Sequence, residues 1–228
     1  MNVVIIGASA VGREVCSWIS DYSAVTGNHV KGFLDSRKNI LDGYTDYPKI
    51  LASPEEYTPE RGDVFICALG EPDMRQKYVS LIEKKGGKFK SFIHPSSFVG
   101  ESVEIGTGTV VYPHSTLTAD IKVGKHCIIG SNTSIGHDCV LEDFVTLSPG
   151  CQVAGWCHLH SGTFMGISST LIPHVTLGGK SPVYVAAGAT VAKSFEEGRL
   201  MGVLAKVKSS TTPKASQLAC LIKSRERG

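Results

Sequence analysis

Two places in the chain set reactive side chains at chemically useful spacings. At Gly136-His137-Asp138 an imidazole is followed directly by a carboxylate. An imidazole with an ordinary pKa near ~6.5 takes a proton from an amine or hydroxyl at neutral pH, and a carboxylate on its other nitrogen fixes the tautomer and stabilises the imidazolium. Neighbours on a regular strand point to opposite faces, so His137 and Asp138 can meet only where the chain turns a corner, and Gly136 suits one. The second place is Gly7-Ala8-Ser9-Ala10-Val11-Gly12, set between an apolar run and a helical pattern, with Asp35 further on. This is the layout of a phosphate loop: glycines for the turn, a helix N-terminus for the anion, an acidic side chain for a ribose hydroxyl. Ser9 stands where that fingerprint has its second glycine, and its Cβ limits how closely the backbone approaches a pyrophosphate. The same residues also read as a glycine turn that merely starts a helix.

These residues sit in two kinds of sequence. Fourteen branched aliphatic residues or Met recur every sixth position: Val99, Ile105, Val111, Leu117, Val123, Ile129, Ile135, Leu141, Leu147, Val153, Leu159, Met165, Leu171 and Leu177. A period of six fits neither a helix nor plain alternation, and it predicts short strands joined by corners, wound into a parallel β-helix with about 4.8 Å between coils. Gly follows the aliphatic residue at positions such as Gly100, Gly124, Gly136 and Gly166, where a tight corner is expected. After Leu177 the frame slips by two at Gly178-Gly179-Lys180-Ser181-Pro182 and resumes at Val185 and Val191, with the β-helix expected to end near Lys193.

Seven cysteines are present, and Cys127, Cys139, Cys151 and Cys157 are separated by multiples of the repeat. All four fill its small position, which makes them reduced, buried small hydrophobes and not zinc ligands; no metal is expected. Of the other histidines, His114, His126, His158, His160 and His174 are expected on outward faces or corners, in surface or interface roles, and His94-Pro95 marks the way into the β-helix.

The first 90 or so residues read as an alternating β/α unit, with strands over 2–6, 30–34, 64–68 and 88–92 and helices up to 21 and over 73–85. That length accommodates one mononucleotide half, so a sugar nucleotide fits better than NAD. The expected division is a Rossmann-like domain over 1–93, a β-helix over 94–206 and a tail over 207–228. A net charge of +2 in 228 residues gives no sign of a nucleic-acid or membrane-surface partner, and no apolar stretch suits a signal peptide or membrane span. A cytoplasmic protein is expected.

The order of parts carries a resemblance: the Gly-Ala-Ser-Ala-Val-Gly-Arg-Glu loop, Phe33-Leu34-Asp35, Ala68-Leu69-Gly70, Phe92-Ile93-His94-Pro95, hexapeptides with Gly136-His137-Asp138-Cys139, and Gly202-Val203-Leu204-Ala205-Lys206. Over residues 1–206 the chain resembles the sugar O- and N-acyltransferases of the sialic-acid O-acetyltransferase and bacillosamine-pathway acetyltransferase type. The resemblance implies a nucleotide-sugar-binding N-terminal domain, a left-handed parallel β-helix, a homotrimer, and acetyl-CoA as co-substrate along a groove between neighbouring β-helices. It makes His137 the catalytic base and Asp138 the acid that supports it. Gly7, Ala8, Ser9, Ala10, Val11, Gly12, Asp35 and Gly70 correspond to nucleotide-sugar contacts, and Thr146, Gly155, Ile167 and Ala187 to the acyl-CoA site, with Thr146 also a candidate to meet the oxyanion. Three positions depart from the pattern: Thr146 stands where some relatives carry a second His, Gly130 where some carry Asn, and Leu204 where Pro is usual.

Whether the acceptor is an amine or a hydroxyl stays open at this level. Two other readings compete. Zinc-dependent hydration of carbon dioxide also uses hexapeptide β-helices, but it needs converging His ligands and has no use for a nucleotide domain. A non-catalytic trimer that binds nucleotide sugars would also carry the same architecture.

Overall fold

A computed structural model describes residues 1–200 of the chain. The N-terminal part is a four-stranded parallel sheet built from β1 (Asn2–Ile6), β2 (His29–Leu34), β3 (Ile50–Ala52) and β4 (Asp63–Cys67), in the order β3-β2-β1-β4. Its helices are α1 (Ala10–Asp21), the short α2 (Ser23–Thr26) and α3 (Pro72–Lys84). β1 is an unbroken Val-Val-Ile-Ile run because both faces of the sheet are covered. Val15, Cys16 and Ile19 of α1 pack with Val3, Ile5 and Phe33 on one face, while Val79 and Ile82 of α3 pack with Val4, Ile6 and Phe65 on the other. The expected strands and helices fall within a residue or so of those observed, with two exceptions. β3 is a half-buried edge strand of three residues, too short to show a pattern in the sequence. The strand expected over 88–92 is split: Phe89 bridges to Phe65 in the sheet, whereas Phe92–Ile93 already pairs with Val110 and Val111 in the β-helix.

From Phe92 onward the chain winds into a parallel β-helix of three sheets with five, seven and six strands. Each of the fourteen repeat positions ends a two-residue strand. Leu117, Ile129, Ile135, Leu147, Leu159, Met165, Leu171 and Leu177 are wholly buried, and Cys127, Cys139, Cys151 and Cys157 are buried free thiols in the same core. Burial pushes the Cys127 thiol up to about 12, as expected of a thiol that serves as packing.

The corners differ from expectation in an instructive way. The left-handed backbone recurs three residues past the aliphatic one, at Ser102, His114, Asp120, His126, Asn132, Asp138, Phe144, Trp156, Ser168 and His174, and at glycines in the same register. The glycine directly after the aliphatic residue answers a different need, which is the close approach of the next coil. A Cβ on Gly100 would lie 1.5 Å from the Thr118 carbonyl oxygen. The frame slip after Leu177 occurs as expected: Met165 pairs with Val185 and Leu171 with Val191, two residues beyond the usual register. The β-helix does not end near Lys193, because Phe195 bridges to Leu177 and Gly198–Leu200 pairs with Val183–Val185. The Gly202-Val203-Leu204-Ala205-Lys206 motif and the tail over 207–228 lie outside the described residues. Among the described residues no helix is long and apolar enough to cross a membrane.

Beside an apolar seam in which Val110, Tyr112 and Ile128 pack with residues of the sheet domain, one polar side chain joins the two parts. Arg75 of α3 has no exposed surface, and every N–H of its guanidinium is used. Nε donates to the His126 carbonyl, Nη1 to those of Leu69 and Gly70, and Nη2 to the Phe144 carbonyl and Thr146 Oγ1, at distances of 2.6 to 2.9 Å. Burial lowers the Arg75 pKa, yet a guanidinium keeps its proton in proteins, so carbonyl dipoles carry a full buried charge. Beside it His126, expected on an outward corner, is buried between Phe89 and Phe144, stacked on the latter. Burial, with the Arg75 charge adding to it, pushes the His126 imidazole down to about 4, which keeps it neutral. Removing a buried cation that satisfies five acceptors leaves those acceptors unpaired and costs about 3 kcal/mol or more. Arg75→Met is expected to lower unfolding stability by that amount in urea titrations, with Arg75→Lys intermediate because it offers only three donors; a loss under about 1 kcal/mol for Arg75→Met would contradict this reading.

Candidate active site

The corner that leaves the six-stranded sheet after Ser134–Ile135 holds His137 and Asp138. Asp138 takes the left-handed conformation, φ 58°, and this turn swings its carboxylate to the same side as the preceding imidazole. His137 Nδ1 and Asp138 Oδ2 lie 2.8 Å apart. A carboxylate only accepts, so Nδ1 carries the hydrogen and Nε2 is the nitrogen left to take a proton. Both side chains are about half exposed, at 50% and 45%, so the pair contributes little to stability and its conspicuous property is chemical. Gly155, one coil on, lies directly beneath the imidazole: a Cβ there would be 2.8 Å from His137 Cε1.

Two aromatic neighbours complete this corner. The Trp156 indole meets the His137 ring edge-on at 4.4 Å between centroids and stacks on His174 at 4.9 Å, nearly parallel. Trp156 is 51% exposed and holds φ 56°, a conformation unfavourable for a bulky side chain. Sequence reasoning passed over it because every coil has a residue in this register and Trp156 breaks no pattern.

The nucleotide loop lies at the carboxyl ends of the parallel strands, where the chain passes from β1 to β2 on one side and later crosses from β3 to β4 on the other. Gly7 turns with φ 96°, and Ser9 is the N-cap of α1 in an extended conformation, with no side-chain cap bond, so the first-turn amides of α1 stay open to an anion. Gly12 lets the helix lie against the loop, since a Cβ there would be 1.9 Å from the Gly7 carbonyl oxygen. Asp35 is buried and both oxygens are engaged: Oδ2 accepts from the Ala8 amide and Arg37 Nη2, and Oδ1 from Arg37 Nε and its amide, at 2.8 to 3.0 Å. Burial alone would raise the Asp35 carboxyl, but the Arg37 and Ala8 hydrogen bonds outweigh it and hold it below the usual carboxylate range. The Asp35 carboxylate thus ties the loop to Arg37. A cleft of about 230 Å³ opens here, lined by Gly7, Leu34, Arg37, Pro54, Leu69 and Tyr78, and a wider one of about 650 Å³ shares Asp35 and Ser36 with it.

The remaining expected residues are not gathered into one place within the chain. Thr146 is 3% exposed, accepts from Arg75 and donates to the Gly70 carbonyl at 2.9 Å, so its hydroxyl belongs to the joint between the domains. Gly70 is held by the same joint. Ile167 and Ala187 follow the strands ending at Met165 and Val185, so they stack on the edge leaving the seven-stranded sheet, whereas Gly155 lies with His137 on the edge leaving the six-stranded one. Ile167 is 58% exposed.

Comparison with known proteins agrees with this layout. Residues 2–82 match the family model described as the PglD N-terminal domain. A curated relative, the UDP-N-acetylbacillosamine N-acetyltransferase of Bacillus subtilis (strain 168), is 28% identical over 114 residues, 48% of this chain and 50% of that protein. The match thus spans about half the length of that relative. Among solved structures, a mutant perosamine N-acetyltransferase from Caulobacter crescentus in complex with CoA and GDP-perosamine has 26% identity and a TM-score of 0.78, covering 92% of this chain and 98% of that one. WeeI from Acinetobacter baumannii AYE has 26% identity and a TM-score of 0.74, covering 87% and 94%. In its N-terminal domain, its β-helix and the order of the two, the chain is similar to nucleotide-sugar N-acetyltransferases of the hexapeptide-repeat kind.

Proposed function

We propose that the protein is an acetyl-CoA-dependent N-acetyltransferase acting on a nucleotide-linked amino sugar in glycan biosynthesis, in the cytoplasm, as a homotrimer. The observation that carries the chemistry is the His137–Asp138 pair at a strained, half-exposed corner with Nε2 free for a proton. The observation that carries the substrate class is the glycine loop on the N-terminus of α1, beside a cleft with the Leu34, Leu69 and Tyr78 side chains for a flat base and Arg37 for charge. The similar structure crystallised with CoA and GDP-perosamine supports the same pairing of ligands.

In this mechanism the sugar amine attacks the thioester carbonyl of acetyl-CoA while His137 Nε2 takes its proton. The imidazolium, steadied by Asp138, then returns that proton to the departing CoA sulfur, so the amide forms as the thioester breaks. The Gly155 backbone beneath the imidazole is the nearest source of an amide N–H for the oxyanion, in place of the buried Thr146. Trp156 restricts the swing of the imidazole and offers an apolar wall beside the reacting atoms.

The trimer follows from what one chain leaves incomplete. The N-terminal domain is fastened near the corner holding Phe144, one edge of the β-helix away from His137, and Ile167 and Ala187 lie on the third edge. A neighbour's edge is needed to complete both the acyl-CoA groove and the acceptor site. The exposed Phe98, Ile167 and Ile172 on the outside of the β-helix give such packing an apolar surface.

The test is CoA release by the purified protein with a panel of UDP-, GDP-, dTDP- and CMP-linked amino sugars. On the accepted sugar, His137→Ala is expected to lower kcat by about 10² or more with little change in acetyl-CoA affinity, and Asp138→Asn to cost less, because proton removal is needed only in the transition state. A folded His137→Ala protein within about threefold of wild-type turnover would refute the base. For Trp156→Ala the expected outcome is a fall in kcat of about tenfold with unchanged thermal stability, largely restored in Trp156→Phe, since the ring acts by positioning the imidazole; a loss confined to KM would show instead that it only binds substrate.

A further inference from the structure

The edge that leaves the five-stranded sheet, the one that also holds Phe144, carries a cluster that acetyl transfer does not use. His158 on the strand His158–Leu159 and His160 just past it are brought beside Glu142, one coil below. His158 Nε2 and His160 Nδ1 each lie 2.9 Å from the same carboxylate oxygen, Oε1, and the two rings stack at 4.2 Å. The three donor atoms all fall within 4.8 Å of one another. We propose that Glu142, His158 and His160 form a binding site for a divalent first-row cation of the zinc type, separate from the His137 corner.

Five features support an ion over a chance contact. The donor set, two imidazoles and one carboxylate, is one that zinc and its neighbours favour. Three donors at about 2.0 to 2.1 Å from a tetrahedral zinc lie roughly 3.3 Å apart, so the observed separations need widen by only a few tenths of an ångström. Glu142 is held from behind, its Oε2 accepting from the Ser161 amide at 3.0 Å and the Ser161 hydroxyl at 3.2 Å, which leaves Oε1 aimed at the imidazoles. The chain also makes room: the two-residue slip begins at Gly178, where a Cβ would lie 2.9 Å from His160 Cβ. The three side chains are 30 to 38% exposed, which leaves the fourth position of a tetrahedral ion open to water.

The expectation of no metal rests on the repeat cysteines, which fill the core; Glu142, sixteen residues from His158 in the chain, has no spacing that marks it as a ligand. The test uses the full-length protein, stripped with chelator and titrated with Co²⁺, then with Zn²⁺ as competitor. The expected result is one Co²⁺ per chain with d–d absorption bands free of thiolate charge transfer, displaced by Zn²⁺. Glu142→Gln and His160→Ala should each weaken binding by about tenfold or more, and Ser161→Ala, which leaves the ligands in place, by up to about that factor. Circular dichroism and thermal unfolding confirm that each variant is folded. Substoichiometric binding, a thiolate band, or a Glu142→Gln and His160→Ala double variant that binds as the wild type does would overturn the site, leaving a hydrogen-bonded surface cluster. None of these outcomes depends on acetyltransferase activity, so the two proposals stand or fall separately.

Discussion

A buried guanidinium, set beside an apolar seam of Trp18, Val110, Tyr112 and Ile128, fixes how the two halves of this protein are related. Arg75 reaches out of α3 and closes hydrogen bonds on the β4–α3 loop at Leu69 and Gly70 and on the β-helix at His126, Phe144 and Thr146. Burying a charge is costly, and it is tolerated here because five fixed acceptors surround it. The consequence is geometric. The loop at the carboxyl end of β4, beside the Gly7 turn, cannot shift relative to the coils without leaving several of those groups unpaired.

Under the proposed function, that fixed relation leaves one chain without a complete site. The nucleotide cleft and the His137 corner are held on different edges of a rigid prism, and no loop among the described residues bridges them. In the proposed trimer a neighbour brings the separated half-sites together, three times over. The same rigidity suits the chemistry, because His137 needs little more than a fixed imidazole, a carboxylate on Nδ1 and a second substrate delivered to Nε2.

Much of the fold was legible because the β-helix repeats one physical demand every six residues, a branched side chain filling the same interior position of each coil. β1, α1 and the glycine loop were legible for a similar reason, since local pattern and local structure coincide there. The His137–Asp138 contact depended on a corner that glycine only hinted at; the left-handed residue is Asp138 itself, and the register it shares holds Ser, His, Asn, Phe and Trp alike, with no composition to mark it. Arg75 was illegible because its partners are mostly backbone carbonyls up to seventy residues away, which carry no residue type to read. Thr146 was assigned through resemblance alone, and the actual contacts of its hydroxyl, with Arg75 and Gly70, come from the far side of the chain. His126 looked like one more corner residue, although Phe89 and Phe144 close over it once the domains meet.

The claim on which the rest turns is that each active site combines the His137 corner of one subunit with the nucleotide loop of another. Subunit complementation tests it directly. His137→Ala removes the base, and Ala10→Glu places a carboxylate in the first turn of α1, where it favours the helix and repels a phosphate. Each variant alone should be inactive with its fold intact. Co-expressed with different tags and purified as mixed trimers, the two should recover about a third of wild-type activity, because a three-subunit ring that holds both variants has one interface in three that pairs an intact loop with an intact base. Mixed trimers that stay as inactive as the parents would place both halves in the same subunit and contradict the account.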